Sequence, residues 1–492
     1  MKRISKYLAG IICIVMLAVS LPVMAEPAPE LTSEEALSLM DAVATQLKVY
    51  GRYDSITERS LYRGALEKIL KDNPQMYETV LKGMLESLDK YSEYYSPEEA
   101  EALMESITGE IVGIGVTIDF SNPDAAVIVS VIPDTPAERA GLKVGDIFVS
   151  ADGQNLRGVK SELLLSLVRG EAGSTVVVEI ERNGMILSFE MVREPIIGTS
   201  VTTELFEEDG KGVMYIRVYG FVNNTAEKFR EALQLTEAAG IDNVIIDLRD
   251  NGGGLLDQTI EMADCIVPEG KIITTEDHKI QGLNKVYKAT NCKKYQGNVM
   301  VLINENSASA SEVLAAALHE NGVATLIGDR SFGKGTIQTL NGLATGGIIK
   351  YTVGYYLTPL GNNINGIGLE PDISISNSKK NVDRSRYGTF GYTKVYNIGD
   401  SGEEVKTAKE ILKFFEIFQG EINDVYDKDL YYAVASFQAR AGLFSYGVLD
   451  LTTQLQINNH LDIAKITVDE QIRTAFEQVG MTYPYDEYGQ RK

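Results

Sequence analysis

Histidine, cysteine and tryptophan are scarce in this chain of 492 residues, which contains three histidines, three cysteines and no tryptophan. The histidines are His278, His319 and His460, and no cluster of histidine, cysteine and aspartate has the spacing of a metal site. The sequence therefore predicts no bound metal and no other cofactor. Beyond the first 25 residues the cysteines are Cys265 and Cys292, and an oxidising compartment would permit a disulfide between them.

Positive charge is also scarce. Lysine and arginine total 46 against 69 aspartates and glutamates, which gives a formal net charge of −23. Nucleic acids bind basic surfaces and the sequence has no basic stripe, so we expect no nucleic-acid partner. Hydrophobic residues make up 44% of the chain and charged residues 23%, which is typical of globular proteins. A chain of this length is expected to form three or four domains.

The N-terminus has the pattern of an export signal. Three basic residues within the first six precede an apolar run over residues 8–21, and Val23 and Ala25 supply small side chains at the positions before a signal-peptidase cut. We expect residues 1–25 to be a signal peptide and the mature protein to be extracytoplasmic. The alternative is an uncleaved membrane anchor, although a full span needs about 20 residues.

The most informative segment runs from Asn306 to Gln338 and reads NSASASEVLAAALHENGVATLIGDRSFGKGTIQ. Three serines alternate with alanines at the start of a predicted helix, for which Asn306 or Ser307 is the expected N-cap. Backbone N–H groups in a first helical turn have no intrahelical acceptor and suit an oxyanion. This pattern makes Ser309 a candidate nucleophile. The competing interpretation is that the small residues only cap and pack the helix.

A serine nucleophile needs a base. His319 lies ten residues beyond Ser309 on the same predicted helix, about 15 Å along its axis, which is too far for proton transfer. His460 lies in a separate C-terminal module, and His278 has no triad pattern around it, although spacing does not exclude it. Lys334 is bracketed by glycines, and burial would lower its pKa from about 10.4 toward neutrality. The sequence favours this lysine as the base, and the alternative is an ordinary surface lysine.

The runs SASASE and GDRSFGKGTIQ, together with an earlier DLRDNGGG run, resemble those of the C-terminal processing (tail-specific) peptidases, which are PDZ-containing serine proteases with a Ser-Lys dyad. The resemblance makes Ser309 the nucleophile, Lys334 the general base and Gln338 the residue that orients the lysine. It assigns the oxyanion hole to the backbone N–H groups of Ala310 and Gly253. The chain departs from the family at the residue before the double glycine, where a third glycine replaces the usual proline.

Residues 106–193 alternate strands with turns and resemble a PDZ domain. Such domains add a peptide to a sheet edge and hold its terminal carboxylate on backbone donors. Arg169 resembles a position that in related proteases senses the bound peptide, and the alternative is a solvated turn residue. The carboxylate loop implied by the resemblance consists of Gly113, Ile114, Gly115 and Val116.

The pattern over residues 194–380 is strand, helix, strand, which is typical of an α/β core with reactive groups at strand ends. The resemblance implies an α/β/α layer structure related to the crotonase superfamily. Residues 26–105 show helical spacing, and in the resembling family this region assists dimerisation, so we expect a homodimer.

The C-terminal part is expected to begin with a linker at 381–394. Residues 395–463 resemble a three-helix peptidoglycan-binding module, and 464–492 read as a polar tail without a function. The sequence as a whole predicts an α/β multidomain protein that is exported by a bacterium. It would bind substrate C-terminal segments through its PDZ domain and cleave peptide bonds, while its C-terminal module would contact peptidoglycan. Two alternatives stay open: a catalytically silent PDZ and wall-binding scaffold, or a cell-wall hydrolase.

Overall fold

The computed structural model describes residues 32–50, 57–120, 125–159, 161–182, 184–208, 210–290 and 295–491. The expected signal peptide lies outside these ranges, as does Cys292 and with it the disulfide to Cys265. The chain divides into two compact units, with the boundary between Met84 and Leu85. Within the described ranges, no helix combines the length and the apolar character needed to cross a membrane.

The first unit is helical, as predicted. Thr32 Oγ1 accepts a hydrogen bond from Glu35 N at 3.3 Å and so caps the first helix. A reciprocal capping box between Thr57 and Ser60 starts the second. The helices that begin in this unit are α1 (Ser33–Tyr50), α2 (Glu58–Asp72) and α3 (Tyr77–Glu86), with a 3₁₀ turn at Pro74–Met76.

The second unit contains the PDZ domain, which a short strand and a capped helix precede. These two elements are β1 (Glu93–Tyr95) and α4 (Pro97–Thr108), and Ser96 caps the helix. The domain itself consists of β2 (Glu110–Gly113), β3 (Val116–Asp119), β4 (Val127–Val131), α5 (Pro136–Ala140), β5 (Ile147–Ala151), β6 (Gln154–Asn155), α6 (Ser161–Val168), β7 (Thr175–Arg182), β8 (Met185–Val192) and β9 (Glu194–Ile197).

Five PDZ strands form one sheet in the order β3-β4-β5-β7-β8, with β6 paired to β5. Alternate residues of β7, namely Val176, Val178 and Ile180, are buried, as expected for a strand with one face on the core. The strands at the two ends of the domain, β2 and β9, pair antiparallel with each other. The chain therefore enters and leaves the PDZ domain through one two-stranded ribbon.

The core that follows is a mixed α/β structure. Its elements are β10 (Val201–Glu208), β11 (Lys211–Val218), α7 (Thr225–Ala238), β12 (Asn243–Asp247), α8 (Leu256–Asp264), β13 (Ile272–His278), β14 (Lys285–Lys288), β15 (Asn298–Ile303), α9 (Ala310–Glu320), β16 (Thr325–Gly328), β17 (Thr336–Gly342), β18 (Ile348–Leu357) and β19 (Ile373–Ser374). The second unit also contains two 3₁₀ turns, at Gln281–Leu283 and Arg384–Arg386.

The main sheet has the order β10-β11-β12-β15-β16-β19. Strand β10 is antiparallel to β11, and the remaining neighbours are parallel. Because carboxyl ends of parallel strands meet at one edge, the loop after β12 and the turn after β15 lie side by side. A second, antiparallel sheet has the order β1-β18-β13-β14, with β17 also paired to β18.

The C-terminal region contains the expected three-helix module. The elements are β20 (Ser378–Asn381), α10 (Glu403–Phe414), α11 (Lys428–Arg440), α12 (Leu451–Ile463), β21 (Lys465–Val468) and α13 (Glu470–Gln478). The helices α10, α11 and α12 enclose one apolar core, and Phe390 is buried in it. The stretch 381–394, expected to be a plain linker, thus supplies the end of a strand and a core residue.

Residues 464–492, expected to be a polar tail without a function, form a strand and a helix. Strand β21 pairs antiparallel with β20, and α13 packs on the face of the main sheet opposite α7, α8 and α9. Ile472 and Phe476 of α13 share a buried cluster with Ile245 of β12, and Phe476 meets Phe206 edge to face at 5.2 Å. The second helical layer of the α/β/α core therefore comes from the C-terminus.

Candidate active site

Ser309 occupies the turn between β15 and α9, and it is the N-cap of that helix with φ +58° and ψ −115°. Such backbone angles cost a non-glycine residue about 1–3 kcal/mol and are found mainly at functional sites. The expectation that Asn306 or Ser307 caps the helix is wrong. Ser307 instead serves the preceding turn, where its Oγ accepts a hydrogen bond from Asn304 N at 2.9 Å.

The three alternating serines have different surroundings. Ser307 Oγ donates to Leu248 O at 2.9 Å and Ser311 Oγ donates to Asn251 O at 2.8 Å, and both serines are fully buried. These two hydroxyls fasten the start of α9 to the loop after β12. Ser309 is partly exposed, and its hydroxyl donates to no residue in the described part of the chain. Of the three, Ser309 is therefore the one available for attack.

The two predicted oxyanion donors lie next to Ser309. Ala310 is the first residue of α9, and its N–H has no acceptor within the described ranges. Gly253 has φ +104°, and a Cβ atom there would lie 2.9 Å from both Ala310 N and Ser309 Cβ, so this position requires glycine. The Gly253 N–H donates to Asn251 Oδ1 at 2.9 Å. In this structure that donor is engaged, and its role as an oxyanion donor stays a prediction.

Glu312 connects the turn that carries Ser309 (the serine turn) to the loop between β16 and β17 that carries Lys334 (the lysine loop). This fully buried carboxylate accepts hydrogen bonds from Ser309 N at 2.9 Å, Lys334 N at 2.8 Å, Gly333 N at 2.7 Å and Ser331 Oγ at 2.6 Å. Sequence reasoning assigned it no role. The signal was present, because a glutamate three residues after an N-cap serine is the capping-box pattern.

Lys334 is partly buried in a loop whose glycines press against another backbone segment. A Cβ at Gly333 would lie 2.8 Å from Gly368 N, and one at Gly335 would lie 2.9 Å from Asn365 N. Burial lowers the pKa of Lys334, and the positive charge of Lys350 lowers it further, while Glu312 opposes both effects. The direction is the one that a lysine base requires.

The side chains of Lys334 and Gln338 both meet Tyr91, which lies just before β1. Lys334 Nζ stands 5.3 Å from the centre of the Tyr91 ring, and Gln338 Nε2 donates to Tyr91 O at 2.7 Å. Within the described ranges, no hydrogen bond joins Lys334 to Ser309 or to Gln338. The roles of Lys334 as base and of Gln338 as its orienting residue therefore stay predictions.

A buried ionic network lies at the start of the loop after β12, the loop that carries Gly253. Arg249 donates to both carboxylate oxygens of Asp247, at 2.9 and 2.7 Å, to Asp469 at 2.6 Å and to Gln471 at 3.2 Å. Burial lowers the pKa of Arg249, but the hydrogen bonds to Asp247 and Asp469 outweigh it and raise the pKa above its ordinary value. Asp469 and Gln471 lie at the start of α13, so the C-terminal segment reaches the loop that carries Gly253.

The predicted PDZ residues also lie together. Gly113 ends β2, Val116 starts β3, and Gly115 between them has φ +91°. The N–H groups of Ile114 and Gly115 have no acceptor in the described part of the chain. Arg169 follows α6, and its Cγ lies 4.0 Å from where a Cβ on Gly113 would stand. The guanidinium pairs with Glu105 of α4 at 3.3 Å.

The three histidines have partners of their own. His278 Nε2 contacts Glu276 at 3.0 Å, His319 Nε2 contacts Asp372 at 2.9 Å, and His460 stacks edge to face on Phe437. Among the described residues, no three histidine, cysteine, aspartate or glutamate side chains form a group that could hold a metal ion.

A serine at a strained strand-to-helix turn, on an α/β core that carries a PDZ domain, defines a PDZ-containing serine peptidase.

Comparison with known proteins agrees with that class. Peptidase family S41 matches residues 212–375, the PDZ domain family matches 112–192 and a peptidoglycan binding domain family matches 401–456. Carboxy-terminal processing protease CtpA of Bacillus subtilis is 33% identical over 390 residues, which cover 78% of this chain and 82% of the relative. For CtpB of the same organism the values are 33% over 419 residues, 84% and 86%.

Among solved structures, the photosystem II D1 C-terminal processing protease is 28% identical with a TM-score of 0.42, and the match covers 70% of this chain and 94% of that one. The chain belongs to peptidase family S41, among the carboxy-terminal processing proteases. The predicted enzyme class, the PDZ domain and the peptidoglycan-binding type of the C-terminal module are confirmed.

Proposed function

We propose that this protein is an exported serine endopeptidase that recognises the C-terminal segments of its substrates and cleaves peptide bonds with a Ser309–Lys334 dyad. One observation carries the proposal: backbone strain at Ser309 coincides with a hydroxyl that donates no hydrogen bond, and with an Ala310 N–H that has no acceptor, among the residues that the structure describes. An N–H without an acceptor is usual in a first helical turn, but an ordinary capping serine does not need the strained backbone seen at Ser309. Together these features are what a nucleophile beside an oxyanion hole requires.

In the proposed reaction, Ser309 Oγ attacks a substrate carbonyl carbon and Lys334 Nζ accepts the hydroxyl proton. The Ala310 N–H stabilises the oxyanion, and Gly253 N–H joins it by exchanging Asn251 Oδ1 for the substrate oxygen. Collapse of the tetrahedral intermediate breaks the peptide bond as the lysine returns the proton to the leaving amine. Water activated by Lys334 then hydrolyses the acyl-enzyme. One oxyanion donor is worth about 2.7–4 kcal/mol of barrier, so both positions matter.

Substrate delivery would fall to the PDZ domain. A terminal carboxylate fits the N–H groups of Ile114 and Gly115, for which the described residues supply no acceptor, and the neighbouring Arg169 offers a positive charge beside them. Because Arg169 pairs with Glu105 of α4, a bound carboxylate would compete with Glu105 for the guanidinium.

We further propose that the mature protein begins at Glu26 outside the cytoplasmic membrane, forms a homodimer and contacts peptidoglycan.

The dyad is tested by degradation of an unfolded protein such as casein. We expect wild type to cleave it, and Ser309→Ala and Lys334→Ala to lose at least 100-fold in rate with unchanged thermal midpoints. Matched controls are Ser385→Ala and Lys288→Ala, two exposed residues outside the site, which should retain full activity. Cleavage by Lys334→Ala near neutral pH would exclude the dyad. Release of muropeptides from purified peptidoglycan without any proteolysis would favour a wall hydrolase instead.

A further inference from the structure

Tyr91 makes two contacts with the groups proposed to form the base. Its ring lies 5.3 Å from Lys334 Nζ, and its carbonyl oxygen accepts the Gln338 amide at 2.7 Å. Both contacts come from one residue outside the segments that family resemblance singled out. The ring contact engages the Lys334 ammonium, which the proposed reaction needs next to Ser309. The amide contact uses only Nε2 of Gln338 and fixes that side chain to the same turn, while its Oε1 stays available to accept from Lys334.

Hydrogen bonds to Asp89 and the pairing of β1 with β18 fix the turn that carries Tyr91. Tyr91 N donates to Asp89 Oδ1 at 2.8 Å, and Ser92 Oγ donates to Asp89 Oδ2 at 3.1 Å. Strand β1 follows at once and pairs with β18, which also pairs with β17, the strand that holds Gln338. The turn is therefore fixed to the same sheet as the residue it binds.

Lys90 adds a third contact to the same loop. Its Nζ stands 4.8 Å from the centre of the Tyr91 ring and 5.4 Å from the centre of the Phe332 ring. Phe332 is two residues before Lys334 and is about half exposed. The turn thus contacts the lysine loop through two neighbouring residues, and Tyr91 alone contacts both Lys334 and Gln338.

We propose that Tyr91 is a latch on the base: its ring holds the Lys334 ammonium while its carbonyl anchors the Gln338 amide, and the peptidase works at full rate only when the ring releases the lysine. The proposal rests on the Ser309–Lys334 dyad. An aromatic face attracts a cation, so the ring favours the charged lysine, which cannot accept a proton. Two further charges act on the pKa of Lys334: Lys350 of β18 disfavours the ammonium, and Glu312 of α9 favours it. Lys90 lies over the same Tyr91 ring and adds a second positive charge there.

The test is the pH dependence of kcat/KM for a fluorogenic peptide, measured on the full chain. Tyr91→Leu removes the ring and keeps the carbonyl. We expect the rising limb of the profile to move down by about half a pH unit, because the cation loses its ring. At pH values below the limb, Ser309 should then react about threefold faster with a fluorophosphonate. A tyrosine that only supports the fold would lower the rate without moving the limb downward.

Three further variants keep the outcome decisive. Tyr91→Phe retains the ring and should keep the wild-type limb, while Tyr91→Met replaces Tyr91→Leu if the latter lowers the thermal midpoint. Tyr432→Leu makes the same change on the surface of α11 and should leave the profile unchanged. A limb that stays in place or moves upward in a folded ring-deleted variant would overturn the latch. Lys334→Ala is run alongside: if it is active the dyad itself fails, and if it is inactive only the latch is at stake.

Discussion

At the scale of single residues, the site depends on Glu312. Its two carboxylate oxygens accept four hydrogen bonds, two each, and all four donors belong to the serine turn or the lysine loop. A carboxylate has the acceptor capacity for this, whereas an amide would turn one of its two ends toward N–H or O–H donors. Each acceptor site of this fully buried side chain therefore has a donor.

We expect Glu312→Gln to lower the free energy of unfolding by about 1–3 kcal/mol, because at least one buried donor loses its acceptor. Peptidase activity should fall as well, since the same bonds hold the backbone N–H groups of Ser309 and Lys334 to one carboxylate. Denaturant unfolding and casein cleavage measure the two effects. Glu305→Gln is the matched control, because Glu305 is exposed on the turn before the helix. A Glu312→Gln variant with wild-type stability would show that the four bonds contribute little.

Lys334 should show its lowered pKa in stability. The unfolded lysine keeps its proton up to a pH of about 10.4, while the folded one releases it at lower pH, so wild-type stability gains with rising pH in that interval. Lys334→Met lacks this gain and keeps the packing of the stem. We expect it to be inactive yet at least as stable as wild type at pH 7, with the difference shrinking toward pH 9.5. Thermal midpoints at both pH values test this, and a variant less stable at pH 7 would contradict it.

Residue chemistry was the part of the site most accessible from the sequence. The count of histidines and the helical distance to His319 directed attention to Lys334, and alternation of small residues directed it to Ser309. The engagement of Gly253 N–H by Asn251 and of Gln338 by Tyr91 could not be predicted. Both depend on where a backbone loop or a turn distant in sequence arrives, and no local periodicity encodes that.

At the scale of elements, helix α13 belongs to the packed core although its amino-acid composition is mostly polar. Ile472, Ala475 and Phe476 have helical i, i+3, i+4 spacing, but glutamine, glutamate and threonine around them give the segment a polar composition. Only three residues form the apolar stripe, which is why the sequence predicted a polar tail for this segment. Its partner surface is the second face of the main sheet, formed by Ile245, Leu302 and other residues far away in sequence.

The contribution of α13 is testable with a matched pair of substitutions. Phe476→Ala should lower the free energy of unfolding by about 3–5 kcal/mol, since Phe476 is fully buried. Phe444→Ala should change it by at most about 0.5 kcal/mol, because that ring is 83% exposed. Denaturant unfolding of the full chain measures both. Equal effects would mean that α13 is not packed on the sheet.

At the scale of the whole molecule, the peptidoglycan-binding module is an insertion in the peptidase fold. It lies between β20 and β21, which pair with each other, and the chain then returns to the core as α13. The order of modules was predictable because each one has its own motifs. Their nesting was not, because it depends on pairing between two strands that are four residues long and separated by three helices.

The module also exposes two aromatic rings. Phe444 and Tyr446 lie on one loop with ring centres 5.9 Å apart, and Gln438 fixes that loop by accepting from Tyr446 N and Gly447 N. A rigid loop that exposes aromatic rings suits stacking on sugar rings. We expect the full chain to sediment with purified peptidoglycan and Phe444→Ala to bind less. Leu455→Ala, exposed on α12, is the control. Equal sedimentation of both variants would place the contact elsewhere.

The central claim is that Ser309 is a nucleophile activated by Lys334. Its most direct measurement is the site and rate of covalent labelling by a fluorophosphonate, read by peptide mass spectrometry. The account predicts one adduct, on the peptide that contains Ser309, and a rate at least 100-fold lower in Lys334→Ala. An adduct on another serine, or equal labelling of Lys334→Ala, would contradict it.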